Sequence, residues 1–188
     1  MNYAHMGYEA VLEGVKQYGP AAGGEAMMKF EKRHADEALE SGIYVTFSNP
    51  EKNDHECGRV GSRSKCMCGH LYSAHKLTCT KKKLANPCQS CACKIFENIP
   101  QRPEECGMYW LPRRKEFKLA DWRAPCKCRH GHDSHNPNYP RGCKKCGCSS
   151  FHSDFACISC DGKWEDHITL YEFEHDRLMA KKKVGQDF

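Results

Sequence analysis

The residues here with the greatest capacity for chemistry are cysteines and histidines, and they recur in register. Cys66-x-Cys68-x-His70-x4-His75 is followed by Cys88-x2-Cys91-x-Cys93 and Phe96. The same order returns as Cys126-x-Cys128-x-His130-x4-His135, then Cys143-x2-Cys146-x-Cys148 and Phe151. A third, reduced unit reads Cys157-x2-Cys160-x6-His167. Thiolates and imidazoles at such spacing bind zinc tetrahedrally, and their repetition predicts homologous metal-bound units. The ligand set read from this pattern is these seventeen residues.

Aligning the three units sorts ligands from neighbours. Four residues after the second cysteine stand Tyr72, His132 and Trp164, so His132 reads as a packing residue. Two residues after it stand His70, His130 and Gly162, so that histidine completes a site, or supports one, in the first two units only. Each unit supplies two cysteines and the distal histidine, and a closed site needs a fourth donor. The two C-x2-C-x-C triads can supply it. Cys143-x2-Cys146 with Cys157-x2-Cys160 also has zinc-ribbon spacing, and the two partitions compete. Counting donors predicts three or four zinc ions. Cys57 reads equally as an extra ligand or a buried thiol, and Cys106 as a bystander; Cys79 and His152 stay open.

The rest of the chain must hold these groups in place with little oil. Of 188 residues 28% are charged, and large aliphatics are scarce, so a staple is needed. Fifteen cysteines provide it. Their odd number, their alternation with histidine and the absence of an apolar run near Met1 favour metal over disulfides and predict a reducing, cytoplasmic setting. No stretch reaches the roughly 18 apolar residues of a membrane span. The formal charge of +5 counts thiols as neutral. Three Cys3His zinc sites, each with a net charge of about −1, would lower it to roughly +2, so charge argues only weakly for nucleic acid.

The expected fold is a small metal-stabilised α+β one, with tandem zinc-binding repeats, short β-hairpins, two N-terminal helices and a C-terminal helix. Residues 1–42 form the helical segment, with helices over Tyr8–Tyr18 and from Glu25 to about Glu40. Residues 43–188 form the Cys/His module: repeat 1 over about 57–99, repeat 2 over about 117–152, and the reduced unit over 157–173. Ile43–Phe47 and Cys57–Val60 read as a hairpin, and Ile168–Phe173 as a strand. Trp110, Leu111, Phe117, Leu119 and Trp122 read as a strand shielding the metal sites. Glu174–Lys183 reads as a helix whose closing lysines suit its dipole.

The doubled C-x-C-x-H-x4-H, Ser150-Phe151-His152-Ser153 and the third unit resemble the eukaryotic group called "family with sequence similarity 221". Ile43-Tyr44-Val45-Thr46-Phe47-Ser48-Asn49-Pro50, Cys57, Val60-Gly61, Ala120-Asp121-Trp122-Arg123-Ala124-Pro125 and Val184-Gly185-Gln186-Asp187 carry the resemblance too, over residues 43–188. It implies a role for Cys57 as ligand or core thiol. It implies no established activity, and the association of the family with ciliated organisms points to the axoneme.

No H-E-x-x-H, no H-x-E paired with P-C-x-x-C and no nucleophile beside a base occurs, so the sites read as structural and the protein as no enzyme. The favoured reading is a zinc-stapled interaction or scaffold protein with protein partners, axonemal or tubulin-associated, and no membrane. The alternative is a zinc-knuckle nucleic-acid binder using Lys81-Lys82-Lys83 and Arg113-Arg114-Lys115, which salt-dependent affinity would reveal. A ubiquitin-ligase-like zinc domain ranks third, because the spacing is not that of a cross-braced pair.

Overall fold

The computed structural model describes residues 16–17, 19, 23–52, 56–80 and 83–185, with side chains except at 79, 80 and 83–85. The helix expected over Tyr8–Tyr18 falls almost wholly outside the described residues, as do Lys81 and Lys82.

Helix α1 spans Gly24–Ser41 between two left-handed glycines, Gly23 (φ 78°) and Gly42 (φ 65°). A Cβ on Gly23 would also strike the Glu104 carboxylate, so the start of the helix has both a conformational and a steric reason for glycine. The Gly42 N–H donates to Ala38 O and closes the C-terminus. Its buried residues, His34, Ala35 and Ala38, are mostly small. That lets the helix lie close to the strands, where His34 Nδ1 meets Arg59 O at 3.1 Å.

Strand β1 (Ile43–Ser48) is buried along nearly its whole length. It is the centre of an antiparallel sheet ordered β2-β1-β7, with β2 at Glu56–Arg59 and β7 at Ile168–Phe173. Ile43 pairs with Phe173 and Ser48 with Ile168. The first described strand thus pairs with the last, and both repeats are inserted between β2 and β7. Short pairs β3 (Lys65–Cys66) with β6 (Asn98–Ile99), and β4 (Thr78–Thr80) with β5 (Lys83–Ala85), complete the strands described.

The repeats share backbone geometry as well as residue types. The first cysteine's N–H donates to the carbonyl of His70 (2.8 Å), His130 (2.9 Å) or, in the third unit, Gly162 (2.9 Å). The residue after the second cysteine is left-handed each time: Gly69 (φ 87°), Arg129 (φ 67°) and Asp161 (φ 55°). Cys88 N–H donates to Cys93 O at 3.0 Å, and Cys143 N–H to Cys148 O at 2.8 Å.

Two expectations are corrected. The connector is no strand: its regular elements are 3-10 turns at Pro103–Cys106, Leu111–Arg113 and Leu119–Asp121. Trp110 is exposed and shields nothing. Pro112 lacks a ladder donor, and Arg113, Arg114, Lys115 and Glu116 interrupt any alternation. Helix α2 is also shorter than expected, Glu174–Met179. Lys181 turns left-handed (φ 54°) and Lys183 O accepts from Arg177, so the lysines fold back rather than extend the helix.

Under α1, Glu105 Oε1 accepts from Gln101 N (3.1 Å) and Arg102 N (3.0 Å). Burial pushes its carboxyl up to about 8, and that of neighbouring Glu31 up to about 7. The folded value lies above the unfolded one, so the fold is penalised progressively as pH rises from about 4.5 through about 8. Glu105→Gln keeps an acceptor and removes the charge. Its thermal midpoint should exceed the parent's at pH 8.5, and the gap should shrink toward pH 5. A gap independent of pH contradicts this assignment.

Candidate metal centres

The folded backbone brings all seventeen sequence-predicted ligands, and Cys57, into five four-residue groups among the described residues. They are Cys66, Cys68, His75, Cys93; Cys68, His70, Cys88, Cys91; Cys126, Cys128, His135, Cys148; Cys128, His130, Cys143, Cys146; and Cys57, Cys157, Cys160, His167. Donor atoms within each group lie within 4.8 Å of one another. Cys106, His132 and His152 join none of them.

Spacing within the groups matches a tetrahedral ion. Zinc bonds of about 2.3 Å to sulfur and about 2.0 Å to nitrogen give edges of about 3.5 Å for S···N and about 3.8 Å for S···S. Cys68 Sγ lies 3.5 Å from His70 Nδ1 and 3.7 Å from His75 Nε2. Cys128 Sγ lies 3.6 Å from both His130 Nδ1 and His135 Nε2. Cys148 Sγ to His135 Nε2 is 3.5 Å, Cys160 Sγ to His167 Nε2 is 3.3 Å, and Cys66 Sγ to Cys93 Sγ is 3.9 Å.

The ring nitrogens are chosen by local geometry. His75, His135 and His167 each follow a 3-10 turn (Tyr72–Ala74, His132–Ser134, Trp164–Asp166). Each places Nδ1 on the carbonyl four residues back: Leu71 (3.0 Å), Gly131 (3.0 Å), Lys163 (2.8 Å). An Nδ1–H donated there leaves Nε2 free for a cation. His70 and His130, two residues from a ligand cysteine, turn Nδ1 inward instead. Phe96 and Phe151 are buried and stand edge-on to His75 and His135, both with ring centroids 5.2 Å apart. This accounts for the phenylalanine that closes each repeat: it packs against the ring of the candidate ligand histidine.

Tyr72, His132 and Trp164 pack, as their alignment implied. Tyr72 meets Phe96, and Trp164 lies 4.5 Å from the Phe47 ring. His132 is buried, and desolvation holds its imidazole down to about 4, so it is neutral. The zinc-ribbon partition is not realised: Cys143 and Cys146 join repeat 2, whereas Cys157 and Cys160 join Cys57 on β2. With an ion bound, this last group would clip one edge strand of the sheet to the start of the other, since His167 immediately precedes Ile168; Phe47 of β1 stacks on His167 with ring centroids 4.6 Å apart. Cys57 lies about a hundred residues from its partners, and no spacing rule reaches it. The sequence left Cys57 open between extra ligand and buried thiol, and the resemblance did not choose between them.

Without a cation the crowded sulfurs compete for charge: Cys66, by its hydrogen bond, holds the Cys93 thiol down to about 5, while several of their neighbours become poor acids. Burial pushes Cys57 and Cys68 up to about 12, and the neighbouring Cys93 thiol together with burial drives Cys66 higher still. A soft dication would reverse that preference and make the crowded sulfurs thiolates. Backbone N–H groups already point at four of them: Glu97 to Cys66, Ser90 to Cys88, His152 to Cys126 and Gly162 to Cys160, each at 3.4 Å.

A family model described as "Protein FAM221A/B" matches residues 11–188. The rat protein named FAM221B is 37% identical over 163 residues, covering 85% of this chain and 31% of its own length. The human protein of that name is 36% identical over 165 residues, 86% of this chain and 40% of its own length. The Xenopus tropicalis protein named FAM221A is 31% identical over 170 residues, 87% of this chain and 51% of its own length. The chain therefore spans between about a third and a half of the length of these relatives. No solved structure matches it.

Proposed function

This chain belongs to the FAM221A/B family, and for it we propose a non-enzymatic role: a zinc-stapled module that presents protein-binding surface. The observation that carries the reading is the composition of the five groups, each of which has four thiol or imidazole donors and no carboxylate. A set of four soft donors closes a tetrahedral ion and leaves no position for substrate or water. Thiolate with imidazole selects zinc over harder cations. Outside the groups, the end of β7 and helix α2 leave Phe173, Leu178 and Met179 exposed, apolar surface that suits a protein partner. An axonemal or tubulin-associated partner remains part of this reading. Among the described residues, no helix is long and apolar enough to cross a membrane.

Cobalt(II) replacing zinc tests the closed sites. Its visible bands should show tetrahedral thiolate coordination and stay unchanged when azide is added. A new azide-dependent band would show an open position, and the non-enzymatic reading would fall. Proximity labelling in a ciliated cell tests the partner: enrichment of axonemal or tubulin-associated proteins supports it, and their absence removes that part.

A further inference from the structure

We propose that each long repeat holds two metal ions bridged by one thiolate, Cys68 in the first and Cys128 in the second, so that the chain carries two dinuclear centres and one mononuclear one. The inference rests on the reading that the groups bind metal and adds how they bind it.

Cys68 belongs to two of the five groups, and Cys128 to two others. Cys68 Sγ lies at ligand-edge distance from His75 Nε2 of one group and from His70 Nδ1 of the other, 3.7 and 3.5 Å. Cys128 repeats this with His135 and His130 at 3.6 Å each. The arrangement thus occurs twice, in stretches that differ in most other residues. A single ion per repeat would leave three donors of the second group crowded together with no cation.

Charge favours the bridge. Five thiolates and two dications leave each dinuclear centre with one net negative charge, the same as the three-thiolate group at Cys57. Two separate three-thiolate sites side by side would carry twice that charge within a few ångströms, and like charges so close repel strongly. Two ions each about 2.3 Å from one sulfur lie less than roughly 4.6 Å apart.

The third unit shows what removes the second ion. Gly162 stands where the repeats have His70 and His130, and a Cβ there would meet Asn49 Nδ2 at 2.6 Å and Cys160 Sγ at 3.2 Å. Asn49 thus occupies the place from which a side chain at 162 would start, and the unit has no histidine there. Cys160, the counterpart of Cys68 and Cys128, belongs to one group only.

The full chain reconstituted with cadmium-113 tests the proposal by native mass and by cadmium NMR. Five ions and scalar coupling between two pairs of cadmium resonances, with a fifth resonance uncoupled, are expected. Cys91→Ser, at an exposed sulfur in one outer group only, should lower the count to four and abolish one coupling while the other persists. Three ions, or five without coupling, would overturn the bridges and leave metal binding intact. A chain that takes up no ion overturns the underlying reading as well.

Discussion

A zinc chelator added with reductant is expected to unfold this chain at 25 °C. The expectation follows from what fills the interior. No leucine is buried among the described residues, and the buried core cluster offers only Val45, Val60 and Ile99 as large branched aliphatics. Four members of that cluster are cysteines of the metal groups: Cys66, Cys88, Cys93 and Cys126. Apolar burial at about 25 cal/mol per Å² cannot offset backbone ordering with so few large side chains. A structural zinc site, by contrast, contributes on the order of 10–16 kcal/mol in small domains. Removing the ions should collapse amide dispersion and near-ultraviolet dichroism and expose Trp164, now 7% accessible, to water. Readdition of zinc should restore all three. The central sheet alone is not expected to survive, because Cys57 and His167 fasten its edges.

The largest single-residue effect outside the metal groups is expected at Arg177, whose side chain is 1% exposed. Its guanidinium donates to Glu56 (2.7 and 3.1 Å), to Glu172 (2.7 Å) and to Lys183 O (2.8 and 3.1 Å). It also lies over the Tyr44 ring, 4.7 Å from the centroid. Arg177 thereby links β2, β7, α2 and the returning tail. Arg177→Ala takes the guanidinium from both carboxylates and leaves Glu172 only its pairing with Lys182. Breaking a buried pair this way costs about 3–5 kcal/mol, and the partial exposure of both glutamates, 21% each, places this case near about 3 kcal/mol. Denaturant unfolding of the zinc-loaded protein would measure it. The double variant with Glu56→Gln should recover part of the loss, since Glu172 keeps Lys182 and the Glu56 charge is gone. A cost below about 0.5 kcal/mol would show that the network is a solvated decoration.

Membership of the candidate metal groups was legible because repetition is a local property. A residue recurring at the same offset in three units declares a shared constraint, and one that changes to Tyr72 or Trp164 declares the opposite. The grouping was not legible, because it is tertiary. Nothing in spacing says that Cys93 closes an inner site while Cys88 and Cys91 close an outer one. Donor counting also assigns each sulfur to one ion, which is why three or four ions were expected where the geometry offers five groups. The pairing of β1 with β7 was hidden for a similar reason. Both segments read as strands, but only the fold shows that they are partners. The connector misled because Trp110, Phe117 and Trp122 raise strand propensity locally while Pro112 and the surrounding charges prevent a ladder. The C-terminal helix was overextended because lysines suit a helix end, whereas the claim of Arg177 on Lys183 O turns the chain back.

The account stands on metal ions, rather than an apolar interior, holding these 188 residues together. Its most direct test is a native mass spectrum of the chain purified in reductant without added metal. The account predicts that the compact, low-charge ions carry zinc, five per chain at full occupancy, and that any zinc-free ions appear only at the high charge states of an unfolded chain. Compact ions at the metal-free mass, giving a dispersed amide spectrum in solution, would contradict it.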